Sequence, residues 1–296
     1  MKSKTVIITG ANSGIGKAAA RRIAAQGHRV VLACRNPERA LAAAHEIEGD
    51  CIVARIDLSS RRSIQDFTDW AHRELDGIDV LINHAADFDL YSGRREMTPD
   101  GFERIWFTNH LGPVLLTDRL LDMLVAARQG RVLNVSSAGL FMHPFLTVNL
   151  KDPMFNHRPF SAAKAYYQSK LAQAMHAQWL AQQLSGTMTT ANCICAGNVR
   201  IDLDRFPELP QWKKNLYAIK ALFAIAPEQL AETYARAALD LEVRNLTGKQ
   251  LGYPFKEKPF SAYEKDPLCI EQVMNLTYRQ LGILPSISFE PAESLR

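Results

Sequence analysis

Cysteine is scarce in this chain and follows no pattern. Five occur in 296 residues, Cys34, Cys51, Cys193, Cys195 and Cys269. The number is odd and no CxxC pair is present, which argues against a disulfide framework or a cysteine zinc site. Their expected place is the apolar core of a protein in a reducing compartment, hence a cytoplasmic one. The eight histidines include no HExxH or other ligand spacing, so no metal is expected. No block of Lys or Arg exceeds a pair and the formal charge is only +4, which leaves nucleic-acid binding without an electrostatic footprint. Long hydrophobic runs are missing too: Leu111 to Ala127, the longest helical apolar candidate, is broken by Asp118, Arg119 and Asp122 and is not expected to span a bilayer. Met1-Lys2-Ser3-Lys4 leads straight into a short strand, without the apolar stretch and cleavage site of a secretory signal. Internal repeats and low-complexity segments are also lacking.

What is present is an ordinary globular composition, 47% hydrophobic and 22% charged, long enough for one large α/β domain or two small ones. The β-branched run Thr5-Val6-Ile7-Ile8 precedes Thr9-Gly10-Ala11-Asn12-Ser13-Gly14-Ile15-Gly16, and an alanine-rich segment, Lys17 to Gln26, follows. Strand, glycine turn and helix in that order make a phosphate site. The helix start offers unpaired N–H groups and the positive end of the peptide dipoles, and glycine lets a pyrophosphate approach the backbone. Glycine spacing alone would be weak; the strand before and the helix after raise it to a dinucleotide site.

The rest of the chain alternates strand and helix. Arg29 to Cys34 is a buried parallel strand, and Asn36-Pro37 caps and starts the next helix, which Gly49 stops. The residues after that strand read Cys34-Arg35-Asn36, with no acid to hold a ribose 2′-OH, while Arg35 and Ser13 suit a 2′-phosphate. NADP(H) is therefore preferred over NAD(H). Cys51 to Ile56 delivers Asp57-Leu58 at a strand's carboxyl end, and Asp79 to Ile82 delivers Asn83-His84-Ala85-Ala86. Thr98-Pro99 is expected to begin a helix running through Phe102, Ile105 and Trp106 to Asn109 and on toward Gly130. The fold class is α/β: one doubly wound Rossmann-type domain over residues 1–296, with about seven parallel strands and helices on both faces.

The strand Arg131 to Ser137 ends in two hydroxyls, and Tyr166 and Lys170 lie four apart in an amphipathic segment, Phe160 to Leu184. On a helix these two share a face, and an ammonium beside a phenol lowers the phenol pKa toward working pH. The set TGANSGIG, Asp57-Leu58, NHAA, Asn109, Ser137 and Tyr166-xxx-Lys170 resembles the short-chain dehydrogenase/reductase family. ACRNPERA, TPDGFE, TNHLGPVLLT and AYYQSKLA are similar to its retinol dehydrogenase-like and protochlorophyllide reductase-like branch. The resemblance implies that Tyr166 is the general acid or base, that Ser137 holds the substrate oxygen, that Lys170 holds the nicotinamide ribose, and that Asn109 positions a relay water. It further implies cofactor contacts at Gly10, Asn12, Ser13, Gly14, Ile15, Gly16, Arg35, Asp57, Leu58, Asn83, Ala85, Tyr166, Lys170, Gly197 and Val199. Two departures stand out. Asn83-His84-Ala85-Ala86 replaces Asn-Asn-Ala-Gly, and Ala196-Gly197-Asn198-Val199-Arg200-Ile201 lacks the threonine expected to bond the carboxamide. His84 is read as a hydrogen-bonded structural residue, and Cys193 and Cys195, two apart on a strand, as core.

Two apolar stretches, near 138–160 and 201–226, have no counterpart in a minimal nucleotide fold. They are expected to form the wall and lid of a pocket for a sizeable apolar small molecule, or else a hydrophobic cap or a contact between copies. The leading activity is hydride transfer between NADP(H) and a carbonyl/alcohol pair. Reduction of a carbon–carbon double bond and a non-catalytic cofactor sensor or scaffold stay open. The expected states are a homodimer or homotetramer paired through Asn109 to Arg128 and Phe160 to Leu184, or a monomer.

Overall fold

Short apolar runs rich in Val, Ile and Leu become the inner strands of a single sheet, because only a strand buried on both faces can use apolar side chains at every position. A computed structural model of the chain describes residues 3–88, 93–200, 211, 221 and 224–287. Among them, Thr5–Thr9 (β1), Arg29–Cys34 (β2), Cys51–Arg55 (β3), Val80–Asn83 (β4), Arg131–Ser137 (β5), Thr190–Ala196 (β6) and Gln250–Gly252 (β7) pair in parallel in the order β3-β2-β1-β4-β5-β6-β7. An eighth strand, Lys256–Lys258 (β8), pairs antiparallel with β7 at the edge. Its alternating lysines gave no apolar signal, and they keep that edge from templating another chain.

Alternation along the strands sorts the core into two layers. Ile7, Val31, Leu81 and Val132 face one side, with helices Arg61–Glu74 (α3), Gly112–Arg119 (α5) and Ala162–Gln183 (α7). Val6, Ile8, Val30, Leu32 and Ile82 face the other, with Gly14–Ala24 (α1), Pro37–His45 (α2) and Pro227–Leu239 (α8). β1 lies between β2 and β4, so strand order reverses there and a crevice opens at their carboxyl ends. Asn36 acts as read, its Oδ1 accepting from Arg39 N at 2.9 Å; Ser60 caps α3, and Gly282 at φ 63 ends the last described helix, Pro267–Leu281 (α10). A short helix, Ala262–Lys265 (α9), leads into it.

One helix starts later than expected. Thr98-Pro99 lies in a turn closed by Gly101, whose φ of +80 no helix permits; Gly101 N donates to Thr98 O and Thr98 N to Phe102 O. The cap is instead Glu103, buried, whose carboxylate accepts from the N–H groups of Ile105 and Trp106. Helix Arg104–Trp106 (α4) then widens into a π turn, Phe107–Leu111, before α5, and a break at Leu120 separates α5 from Leu121–Ala126 (α6). Pro113 explains the π turn, since it offers no N–H to Asn109 O and its ring would strike that carbonyl in a regular helix.

The segment read as amphipathic, α7, is buried around most of its circumference. α10 covers its outer side, with Trp179 and Tyr278 rings 5.3 Å apart. α10 also reaches the helices before it: Tyr278 OH lies 3.3 Å from Asp118 Oδ1, and Trp106 Nε1 donates to Gln280 Oε1 at 2.9 Å. The helices considered for pairing between copies thus carry a helix of their own chain. The 138–160 stretch starts with a 3₁₀ turn, Ala138–Met142; it buries Phe155 and exposes Phe141, Met142 and Phe145. Most of the 201–226 stretch lies outside the described residues. Among the described residues no helix is long and apolar enough to cross a membrane.

Candidate active site

The glycine turn is a backbone device. Gly10 and Gly14 have φ of +72 and +55, which L side chains rarely adopt. At Gly16 a Cβ would lie 2.7 Å from Gly10 O and from His84 Cδ2, so a glycine there lets α1 settle against the end of β4. Ser13 stands at the N-cap of α1 without a side-chain cap bond, and the first turn holds no acid. The leading N–H groups of α1 are thereby left for an outside anion, and the turn fits a dinucleotide pyrophosphate.

Two side chains given no role in the sequence reading hold the turn in place. The Thr9 hydroxyl accepts from the N–H groups of His84 and Ala85, each at 3.0 Å, tying β4 to β1 at the crevice. The buried Cys34 sulfur faces the N–H groups of Ala11, Asn12 and Gly10, while burial pushes its thiol up to about 11. His84, read as structural, has Nδ1 3.0 Å from the Tyr234 hydroxyl of α8. Asn83 is less available than its motif suggests: its buried amide donates to Thr117 Oγ1 and Asn134 Oδ1, both at 2.9 Å, joining β4 to α5 and β5. Asp57 Oδ1 accepts from Ser59 N and Oγ, and the Leu58 carbonyl lies where a Cβ at Gly112 would be, 2.4 Å away. Gly197 and Val199 follow β6 in a segment bridged to Ile225 through Ile225 N to Asn198 O. Arg35 is exposed beyond β2, and Arg55, also exposed, is the register partner of Cys34 on β3.

Ser137, Tyr166 and Lys170 come together at the carboxyl end of β5. The Ser137 side chain hydrogen-bonds the Tyr166 phenol and accepts from Gly139 N at 3.2 Å. Lys170 Nζ donates to Val135 O at 2.8 Å and lies 5.9 Å from the centre of the Tyr166 ring. The expected fall in the Tyr166 pKa is not found among the protein's own groups. Burial raises it, more than the Ser137 hydrogen bond lowers it, and Lys170 is itself brought down to about 8 by burial. A phenol enclosed by rings loses more by leaving water than an ammonium bonded elsewhere returns.

Asn109 sits in the π turn with its side chain fully used: Oδ1 accepts from Asp87 N at 2.6 Å, and Nδ2 donates to Asp87 O and Ser169 Oγ. Pro113 leaves its backbone carbonyl without the usual i+4 donor. Asp87 is further held by Arg104 at 2.8 Å. This clamp fixes Phe88, whose ring meets Tyr166 edge-on at 4.9 Å. Tyr167 lies 5.2 Å from Tyr166, His143 4.5 Å from Tyr167, and Ile105, Phe155 and Phe160 complete the cluster. The Tyr166 phenol therefore stands against an apolar, aromatic wall, and the arrangement can hold an oxygen between two hydroxyls while excluding water behind it.

Comparison with known proteins gives the family and the fold. The sequence pattern of the short chain dehydrogenase family matches residues 4–149. Retinol dehydrogenase 13 of Mus musculus is 31% identical, over 95% of this chain and 84% of its own length. Retinol dehydrogenase 11 of Homo sapiens is 34% identical, over 84% of this chain and 76% of its own. Among solved structures, an uncharacterized protein from Mycobacterium paratuberculosis superimposes with a TM-score of 0.73 at 29% identity, covering 95% of this chain and 94% of that one.

Proposed function

The chain belongs to the short-chain dehydrogenase family, and on that premise we propose that it is an NADP(H)-dependent oxidoreductase for the carbonyl/alcohol pair of a sizeable apolar substrate. Membership makes it an oxidoreductase that uses a nicotinamide cofactor, which when bound gives or takes the hydride. The observation that carries the finer reading is the Ser137–Tyr166–Lys170 group set against Phe88, Tyr167 and Phe155. Ser137 holds the substrate oxygen beside the phenol. Tyr166, kept protonated by burial, gives its proton to the oxygen as negative charge develops there. Lys170, buried one turn from Tyr166 and donating to Val135 O, would hold the nicotinamide ribose. The glycine turn holds the pyrophosphate, and Arg35 with Ser13 the 2′-phosphate. The cytoplasm remains the expected location on the same reading.

The relatives' shared name sets the first substrate to try. NADPH oxidation should follow addition of retinaldehyde or another long apolar aldehyde, with deuteride from labelled NADPH recovered on the carbinol carbon. Deuteride on a former alkene carbon would move the reading to double-bond reduction. Tight NADPH binding without turnover across a broad carbonyl panel would instead favour a sensor or scaffold.

A further inference from the structure

Asn109 is presented by a distorted turn, and α10 grips that turn on both sides of it. His110, next to Asn109, is fully buried, and its Nε2 lies 2.7 Å from Thr277 Oγ1 of α10. Thr277 has one hydroxyl proton and spends it on Val273 O at 2.8 Å. Its oxygen must therefore accept, so His110 is the neutral tautomer donating from Nε2. Trp106, whose ring centre is 4.7 Å from that of His110, donates from Nε1 to Gln280 Oε1 one turn further along α10. Arg61 closes the end of α10, donating to the carbonyls of Gln280 and Leu281.

A π turn is not self-sustaining. Gly112 N reaches back to Phe107 O, one residue beyond the helical partner, and Pro113 contributes no donor. Something outside the turn has to fix its register, and the side chains at positions 106 and 110, one helical turn apart, both end on α10. The register matters because Asn109 holds Asp87 through two bonds, and through it Phe88 against Tyr166.

We propose that α10 is a positioning element of the active site, with His110, Thr277 and the Trp106–Gln280 pair setting the π turn that presents Asn109. The proposal rests on the catalytic reading above, so its test needs a measurement that does not depend on that reading. Thr277→Val keeps the shape but leaves the buried His110 donor without an acceptor; Thr277→Ser restores one. Expected for Thr277→Val is a fall in kcat of about tenfold with NADPH affinity unchanged, recovered in Thr277→Ser. Hydrogen exchange of the Asp87 amide, which Asn109 Oδ1 accepts, should quicken in the valine variant alone. Gln280→Met serves the same purpose should Thr277→Val fail to fold. A variant that melts earlier yet keeps kcat and Asp87 protection would reduce α10 to a cover and overturn the proposal. A loss that tracks NADPH affinity, or that Thr277→Ser does not repair, would overturn it too. Should the wild type reduce no carbonyl, the proposed activity falls and Asp87 exchange alone decides: unchanged protection in the variants sinks the positioning role.

Discussion

The two halves of the sheet serve one reaction by different physics. From β3 to β1 the structure works through backbone: positive-φ glycines, an uncapped helix start, and small alanines on α1 and α2 that let layers approach. From β4 to β7 it works through buried polar side chains. Asn109, His110, Asn134, Gln168, Ser169, Lys170, Gln173 and His176 are all nearly inaccessible there. A backbone cradle tolerates change in most of its side chains. A buried polar network specifies one geometry, and each member lost leaves a partner unpaired in low dielectric. The comparison teaches that binding and chemistry should fail separately and under different insults.

The largest separation is expected at Tyr166. Tyr166→Phe removes only the acid, so turnover should fall by roughly 10²–10⁴ while NADPH binding, read by calorimetry, holds. Turnover at the wild-type level would break the assignment and with it the division of labour between halves.

Acid should weigh most on the same half next, with a smaller effect at His28 beside β2, whose pKa burial also lowers. His110 and His176 are held neutral, their pKa values lowered by burial, that of His176 to about 3. Below pH 6.5 the unfolded chain binds protons that these folded rings refuse, so stability falls as pH drops below about 6.5, for His176 down to about 3, by up to about 1.4 kcal/mol per pH unit for each ring. His72 opposes this weakly at the surface, its pKa raised chiefly by the Thr68 carbonyl. Denaturant unfolding at pH 7 and pH 5 measures the sum. Hydrogen exchange at pH 5 should show α4, the π turn and α7 opening before β1 to β3; uniform opening would contradict the contrast.

Much of the local geometry in both halves could be read from the chain because its signals lie within a few residues. A glycine turn between strand and helix, Asn36-Pro37 at a helix start, and Tyr166 with Lys170 four apart all state their geometry within a few residues. What escaped reading depends on distant partners. Thr9 matters because of the His84 and Ala85 amides, Cys34 because of the glycine turn, and His110 because of Thr277 far along the chain. Gly112-Pro113 was a visible mark inside a helical pattern, yet its meaning, a π turn against the Leu58 carbonyl, needs the fold. The Tyr166 pKa went the other way for a similar reason, since spacing shows the ammonium and not the rings that bury the phenol.

The cofactor half can be broken in turn at Gly16. A methyl there meets the Gly10 carbonyl oxygen, which is backbone and cannot rotate away. The shift should cost about 1–3 kcal/mol, roughly ten- to a hundredfold in NADPH affinity. Turnover at saturating NADPH should change far less. Unaltered affinity in Gly16→Ala would show that α1 can slide without disturbing the turn.

The smallest effect is the one that decides between cofactors, and it tests whether the cofactor half owes anything to side chains. Arg35 is exposed at the end of β2, where no acid stands to hold a ribose diol, and Arg55 is exposed opposite Cys34 on the neighbouring strand. A guanidinium can pair a 2′-phosphate through two N–H groups, but an exposed pair is screened by salt and shares its charge with water. NADPH should therefore bind about tenfold tighter than NADH at low salt, and less so as salt rises. Arg35→Ala should remove most of that preference. Arg55→Ala should remove a smaller part, because it reaches the site from the next strand. Calorimetry of both cofactors on the three proteins separates the contributions. Equal affinities in the wild type, or a preference that survives in Arg35→Ala, would leave Arg35 a solvated loop residue and make the cofactor half a device of backbone alone.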